Sequence, residues 1–373
     1  MIDINVDQFT LTLYVNEDEF TSYDEYYYIY IRSRFNKILH LNELFGEPVH
    51  LPYGDGWYNQ IYDYGFDERH LFFKYNDETI DNQISIVFHA ETLKEYLRSY
   101  RNKIDSSITV FDLLKKLSTL GVVRLSRLDI AIDLINEQVL VDDMAKAIND
   151  YDIVVKNSRD SIIAADSIQQ IGSGGRVETM YINKRKSASF LRIYDKKVEV
   201  ERKESADLKT AIESENWTRI ELELKKYYAH NITDLILECE TVEQFNKIIL
   251  SAFLDKFKFL KRAIEDDETT DNGYIEMTFY KKLKEILNGE ITHLMAHKRQ
   301  RVTELKRKYN NFNNNGTMRL FRMIKEAYGE EGLREVFELI NKDCEIVQLN
   351  RDHLRFIEQL KNETPFFRQE EEH

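Results

Sequence analysis

Tyr194 stands between Arg192 and Lys196 in the segment from Gly172 to Arg202, GSGGRVETMYINKRKSASFLRIYDKKVEVER. Successive side chains of a strand point to opposite faces, so Leu191 and Ile193 mark an apolar side while Arg192, Tyr194 and Lys196 share the other. A phenol flanked by cations is equipped to attack phosphorus. The cations favour the phenolate and neutralise the charge that builds on the phosphoryl oxygens. The chain holds 22 tyrosines, and most tyrosines in such strands simply pack, so the flanking cations are what single out Tyr194.

Two further segments repeat the pattern. In RLSRLDIAIDL, Leu128, Ile130, Ile132 and Leu134 form one face and Arg127, Asp129 and Asp133 the other. In TRIELELKK, Ile220, Leu222 and Leu224 oppose Arg219, Glu221 and Glu223. If these strands are neighbours, carboxylates gather beside the tyrosine, a setting suited to a hard divalent cation such as Mg²⁺ or Mn²⁺. Glu178 offers another oxygen, although Met180 and Ile182 share its parity. The alternative is a solvated acidic face balanced by Arg127 and Arg219.

RLDIAIDL, ETMYINKRKSASFLRIYDKKVE and RIELELK, in this order and spacing, resemble the replication initiation factor (Rep_trans) family. The upstream ISIVFHAETLKEY resembles that family's strand-and-helix element, so the likeness spans roughly the first two thirds of the chain. The resemblance implies a rolling-circle replication initiator of a plasmid, or the relaxase of a conjugative element. Such an enzyme nicks one strand at an origin, stays joined to the 5′ phosphate through tyrosine, and later reseals the strand without ATP. On this mapping Tyr194 is the nucleophile, assisted by Arg192 and Lys196. Asp129, Glu178 and Glu221 fall in the acidic blocks as metal ligands, with Asp133 in reserve. Where the family usually has glycine in a YIGSRKS-like element this chain has Asn183, a residue that also tolerates a left-handed turn. Origin DNA, single-stranded or supercoiled, a second copy of the chain and a superfamily 1 helicase are the partners implied. Two other readings remain open: a metal-dependent nuclease that activates water, and an origin-binding factor without catalysis.

The implied architecture is α+β, a mainly antiparallel central sheet with helices on one side, as in HUH nucleases but without their histidine pair. No His-x-His occurs; His293 and His297 have helical spacing, lack the glutamate of HExxH, and read as a helix surface. Alternation predicts strands at residues 8–15, 57–64, 70–75 and 84–89, and helices over 23–44, 90–101, 109–120 and 139–149. Residues 158–175 read as a loop over the site, the GSGG glycines as a turn, and the region from Thr241 onward as helical, interrupted by a connector at 310–316. Residues 1–235 would form the catalytic domain and 236–373 a helical region.

A formal charge of −14 argues against a non-specific duplex coat, whose affinity depends on displaced counterions. Local cation stripes survive, at Lys184, Arg185 and Lys186 as a DNA-binding group and again between Lys298 and Lys308. MIDINVDQF lacks the basic and apolar regions of a signal peptide, and no apolar run is long enough to span a membrane, so a cytoplasmic protein is expected. Cys239 and Cys344 form no motif.

Overall fold

The computed structural model describes residues 1–14, 25–66, 69–78, 83–203, 207–263, 273–288, 291, 317–348, 357 and 361. His293, His297, the basic stripe 298–308 and the connector 310–316 lie outside the described residues.

Met1–Ala296 forms one compact unit. Its strands are β1 (Ile2–Tyr14), β2 (Val49–His50), β3 (Gln60–Asp63), β4 (Leu71–Tyr75), β5 (Gln83–Phe88), β6 (Val122–Ile135), β7 (Ile153–Asn157), β8 (Gln169–Ser173), β9 (Arg176–Ile182), β10 (Ser189–Asp195), β11 (Trp217–Lys225), β12 (Phe257–Arg262) and β13 (Tyr274–Glu276). Its helices are α1 (Glu25–Leu39), α2 (Leu41–Phe45), α3 (Ala90–Lys103), α4 (Val110–Ser118), α5 (Val141–Asn149), α6 (Lys196–Lys203), α7 (Leu208–Glu213), α8 (Tyr227–Glu238), α9 (Val242–Lys256) and α10 (Thr278–Ile286). The large sheet runs β2-β3-β4-β5-β1-β6-β11-β10-β9-β8, every neighbouring pair antiparallel, and a smaller sheet runs β13-β12-β7. The α+β, antiparallel expectation therefore holds.

The three motif strands are central neighbours, β6-β11-β10. Register places Leu222 between Ile130 and Leu191, and Ile220 between Ile132 and Ile193. All six are fully buried, packed in one core with Ala229, Ile232 and Ile236 of α8 and Leu113 and Leu117 of α4. Burying this apolar face, at about 25 cal/mol per Å², is what holds the polar residues of the same strands on the opposite face.

Three segments depart from the sequence reading. The expected loop over the site contains β8, a strand at the sheet edge, and its hairpin with β9 turns at Gly174 (φ 60) and Gly175 (φ 80), where a side chain would be strained. The helix expected to continue past Thr241 stops at Lys256, because Phe257 and Phe259 alternate with exposed Lys258 and pair as β12 with β7. The helix expected over 23–44 breaks at His40, whose φ is 55. The compact unit also extends past the boundary expected near residue 235: Phe245, Phe253, Phe257, Phe259, Phe279 and Tyr280 belong to the same core as the motif strands.

His297–His373 forms a second unit, in which the helix Met318–Ile346 is interrupted at Gly329 (φ 71). Among the described residues no helix is long and apolar enough to cross a membrane. Cys239 is buried, Cys344 is exposed, and both are free thiols.

Candidate active site

Tyr194 lies opposite Arg219 of β11 on one side and Thr179 of β9 on the other. Its side chain is 4 % exposed, and its hydroxyl donates to Glu221 Oε1 at 2.7 Å. The Arg192 guanidinium stacks 3.9 Å from the ring centroid and contacts Glu221 Oε2 at 3.4 Å. Burial, reinforced by the Glu221 charge, pushes the phenol well above its ordinary value, so it is protonated at neutral pH. Arg192 Nε is buried and has no hydrogen-bond partner. An N–H left open beside a phenol is a place for an acceptor oxygen from outside the chain.

Tyr194, Arg192, Lys196 and Arg185 line a pocket of about 230 Å³ together with Asp7, Arg127, Asp129, Glu199, Arg219, Glu221 and Glu223. A cleft of about 1220 Å³ shares Asp7, Glu91, Lys203 and Arg219 with it. Guanidinium groups occupy the acids. Arg127 donates to both oxygens of Asp129, at 2.8 and 2.6 Å, and also reaches Glu223 at 2.7 Å. Arg219 grips Asp133 at 2.8 and 2.7 Å and Asp7 at 3.0 Å, while the Trp217 indole donates to Asp133 at 2.6 Å. Two carboxylates share Arg127, and burial outweighs it, so Asp129 is pushed up to about 7. Burial and the nearby Asp7 charge raise Glu221 as well. Among the described residues no three acid, histidine or cysteine side chains stand arranged to hold a metal ion. The donor types nonetheless suit one: oxygen-only carboxylates, whose burial disfavours the charged form of Asp129 and Glu221, describe a site short of positive charge.

A family model described as replication initiation factor matches residues 123–340. The chain belongs to the replication initiation factor family. The solved structure described as the rolling circle replication initiator protein from Geobacillus stearothermophilus is similar to it with a TM-score of 0.52 at 17 % identity, covering 79 % of this chain and all of that one. At that identity the likeness speaks for the fold. No curated protein matches the sequence.

In this replication initiation factor, the residues singled out from sequence separate into three groups. Tyr194, Arg192, Asp129 and Glu221 converge on the pocket. Lys196 lines it too, but from the first turn of α6 rather than from the strand: Asp195 accepts the Val198 amide at 3.1 Å, capping the helix and ending β10. Its ammonium is 5.7 Å from the Tyr194 ring and is bonded to Glu199 at 2.5 Å. Glu199 is held down to about 2 by Lys196 and Lys203, against the opposing effect of burial. Glu178 stands apart: Arg202 holds both its oxygens at 2.7 and 2.8 Å, Ser173 donates at 3.0 Å, and Glu178 does not line the pocket. Of the basic group, Arg185 reaches the pocket while Lys184 and Lys186 stand exposed on the β9–β10 turn.

Asp7 escaped the sequence reading. It is the extra residue of a β-bulge, since Val6 pairs with Ile130 and Gln8 with Asp129. The signal was present: the buried positions change parity from Val6 to Phe9, Leu11 and Leu13, which one inserted residue explains.

Proposed function

We propose that this protein nicks one DNA strand at an origin through Tyr194, forms a 5′-phosphotyrosine intermediate and later rejoins the strand, initiating rolling-circle replication or conjugative transfer. The observation that carries the proposal is the hydrogen bond from the Tyr194 hydroxyl to Glu221, beside a guanidinium with a free N–H. In the forward step the phenolic proton passes to Glu221, the Oη–P bond forms and the P–O3′ bond breaks. The departing 3′ oxygen takes up a proton and leaves as a hydroxyl. Arg192 neutralises charge on the phosphoryl oxygens. One phosphodiester replaces another, so rejoining is the same step in reverse and needs no nucleotide triphosphate.

Asp129 and Glu221 would hold Mg²⁺ or Mn²⁺, with Asp7 in the place first given to Glu178, once DNA draws their guanidinium partners towards phosphate. The ion would supply charge neutralisation at the scissile phosphate. Origin DNA, a second copy of this chain and a superfamily 1 helicase are the partners this reading carries from the family resemblance.

The test is incubation with single-stranded oligonucleotides tiling the protein's own gene region, with Mg²⁺ or Mn²⁺, followed by denaturing electrophoresis. A protein–DNA adduct that disappears in Tyr194→Phe is the expected result. Cleavage without an adduct would replace the proposal with metal-assisted hydrolysis, and binding without cleavage of the true origin would leave a binding factor.

A further inference from the structure

Most cations of the polar sheet face are consumed by carboxylates: Arg127, Arg176, Arg192, Arg202, Arg219, Lys196 and Lys203 each have an acidic partner. One end of the sheet differs. Lys184, Arg185 and Lys186 of the β9–β10 turn and Lys226 after β11 are exposed, and among the described residues none of the four is paired with an acid. The two segments are stitched together by backbone. Lys225 N donates to Ala188 O at 2.8 Å, the Lys225 ammonium to Arg185 O, and the Lys226 ammonium to Lys186 O at 3.0 Å. Lys226 adopts φ 55, a conformation rare outside glycine, which turns the chain sharply from β11 into α8. The next residue, Tyr227, is 46 % exposed, and its ring lies 4.3 Å from that of Tyr228, which is braced from behind by the Lys256 ammonium at 3.7 Å.

We propose that this end of the sheet is a landing site for single-stranded DNA, in which Tyr227 stacks a base and Lys184, Arg185, Lys186 and Lys226 take the flanking phosphates. Cations without acidic partners beside an exposed aromatic are the elements of single-strand recognition: phosphates are read by charge and unpaired bases by their faces. A duplex hides those faces. The location fits the chemistry, because Arg219, opposite Tyr194, and Lys225 belong to one strand, six residues or about 20 Å apart at a strand's rise of about 3.3 Å per residue. Arg192, Arg127 and Arg185 line the pocket that holds Tyr194, and register sets Arg127 opposite Lys225, so the pocket's cations reach from Tyr194 to the basic end of the sheet. The inference rests on the strand-transfer reading of this face and adds where the strand runs beyond the reacting phosphate.

The experiment is fluorescence anisotropy of the full-length protein with a labelled oligothymidine of about 20 nucleotides and with a duplex of the same length. Wild type should prefer the single strand. Tyr227→Ala should weaken that binding about tenfold and leave duplex binding alone, while Tyr227→Phe, which keeps the ring, should bind as wild type. Lys186→Gln and Lys226→Gln should each lower the slope of log affinity against log salt by about 0.7. Melting temperatures matching wild type would confirm that the variants fold. Unchanged single-strand affinity in Tyr227→Ala, or equal losses for both DNA forms, would overturn the proposal. A loss in Tyr227→Phe equal to that in Tyr227→Ala would overturn stacking. Failure of the nicking reading is separable: no adduct would form with any DNA, yet the Tyr227 dependence of binding would remain.

Discussion

At Tyr194 the central question is where the phenolic proton goes, because a buried phenol that stays protonated is a poor nucleophile. Glu221 is the acceptor in contact, so Glu221→Gln should slow single-turnover nicking by about 10²–10⁴ with little change in oligonucleotide binding. Asp129 offers a second check, free of the reaction. Its folded value of about 7 lies above the ordinary 3.8, so the folded state holds the proton more tightly than the unfolded chain. The stabilisation it contributes is complete below about pH 4 and is lost as pH rises through about 7. In chelator-containing buffer, wild type should therefore lose on the order of 4 kcal/mol across that window relative to Asp129→Asn, read from denaturant midpoints at each pH. Tyr194, Arg192, Asp129 and Glu221 were legible from sequence because each lies on a strand whose opposite face is apolar, and alternation alone assigns it a side. Lys196 was assigned the right neighbourhood for the wrong reason, since alternation carries no information once Asp195 caps a helix.

Among the elements, the β9–β10 turn joins the nucleophile strand to the basic end of the sheet. Asn183 takes φ 70 there, with its side-chain amide donating to Ser189 O at 3.2 Å. Asn183→Gly should be nearly neutral, whereas Asn183→Val should cost about 1–2 kcal/mol in urea unfolding, since a branched side chain meets the backbone in that region. The left-handed turn was readable from the residue type. The bulge that brings Asp7 to Arg219 was harder to see, because the parity change at Val6 and Phe9 gains meaning only against the register of β6. The misreading of β12 has a similar cause. FKFLKR follows a helical run without a glycine or proline, and only the pairing of Phe257 with Asn157 and Phe259 with Val155 makes period two win over period 3.6.

For the whole molecule, the compact unit ends at Ala296 rather than near 235, which makes a truncation decisive. A fragment of residues 1–296 should melt cooperatively and form the same tyrosyl adduct. A fragment of residues 1–235 should not fold, because it lacks Phe245, Phe253, Phe257, Phe259, Phe279 and Tyr280 of the shared core. Loss of even one such side chain costs about 3–5 kcal/mol against a total stability of about 5–15. Circular dichroism melting of both fragments checks this.

Sequence alone determined the faces of β6, β10 and β11, because burial of alternate residues is a local pattern that a strand must obey, and the family resemblance supplied the antiparallel α+β class. Tertiary structure decided which acids meet the phenol, that guanidinium groups hold them, that Asp7 joins and Glu178 stays with Arg202, and where the domain ends. Those outcomes depend on register, bulges and contacts between residues far apart in the chain, and no local pattern encodes them.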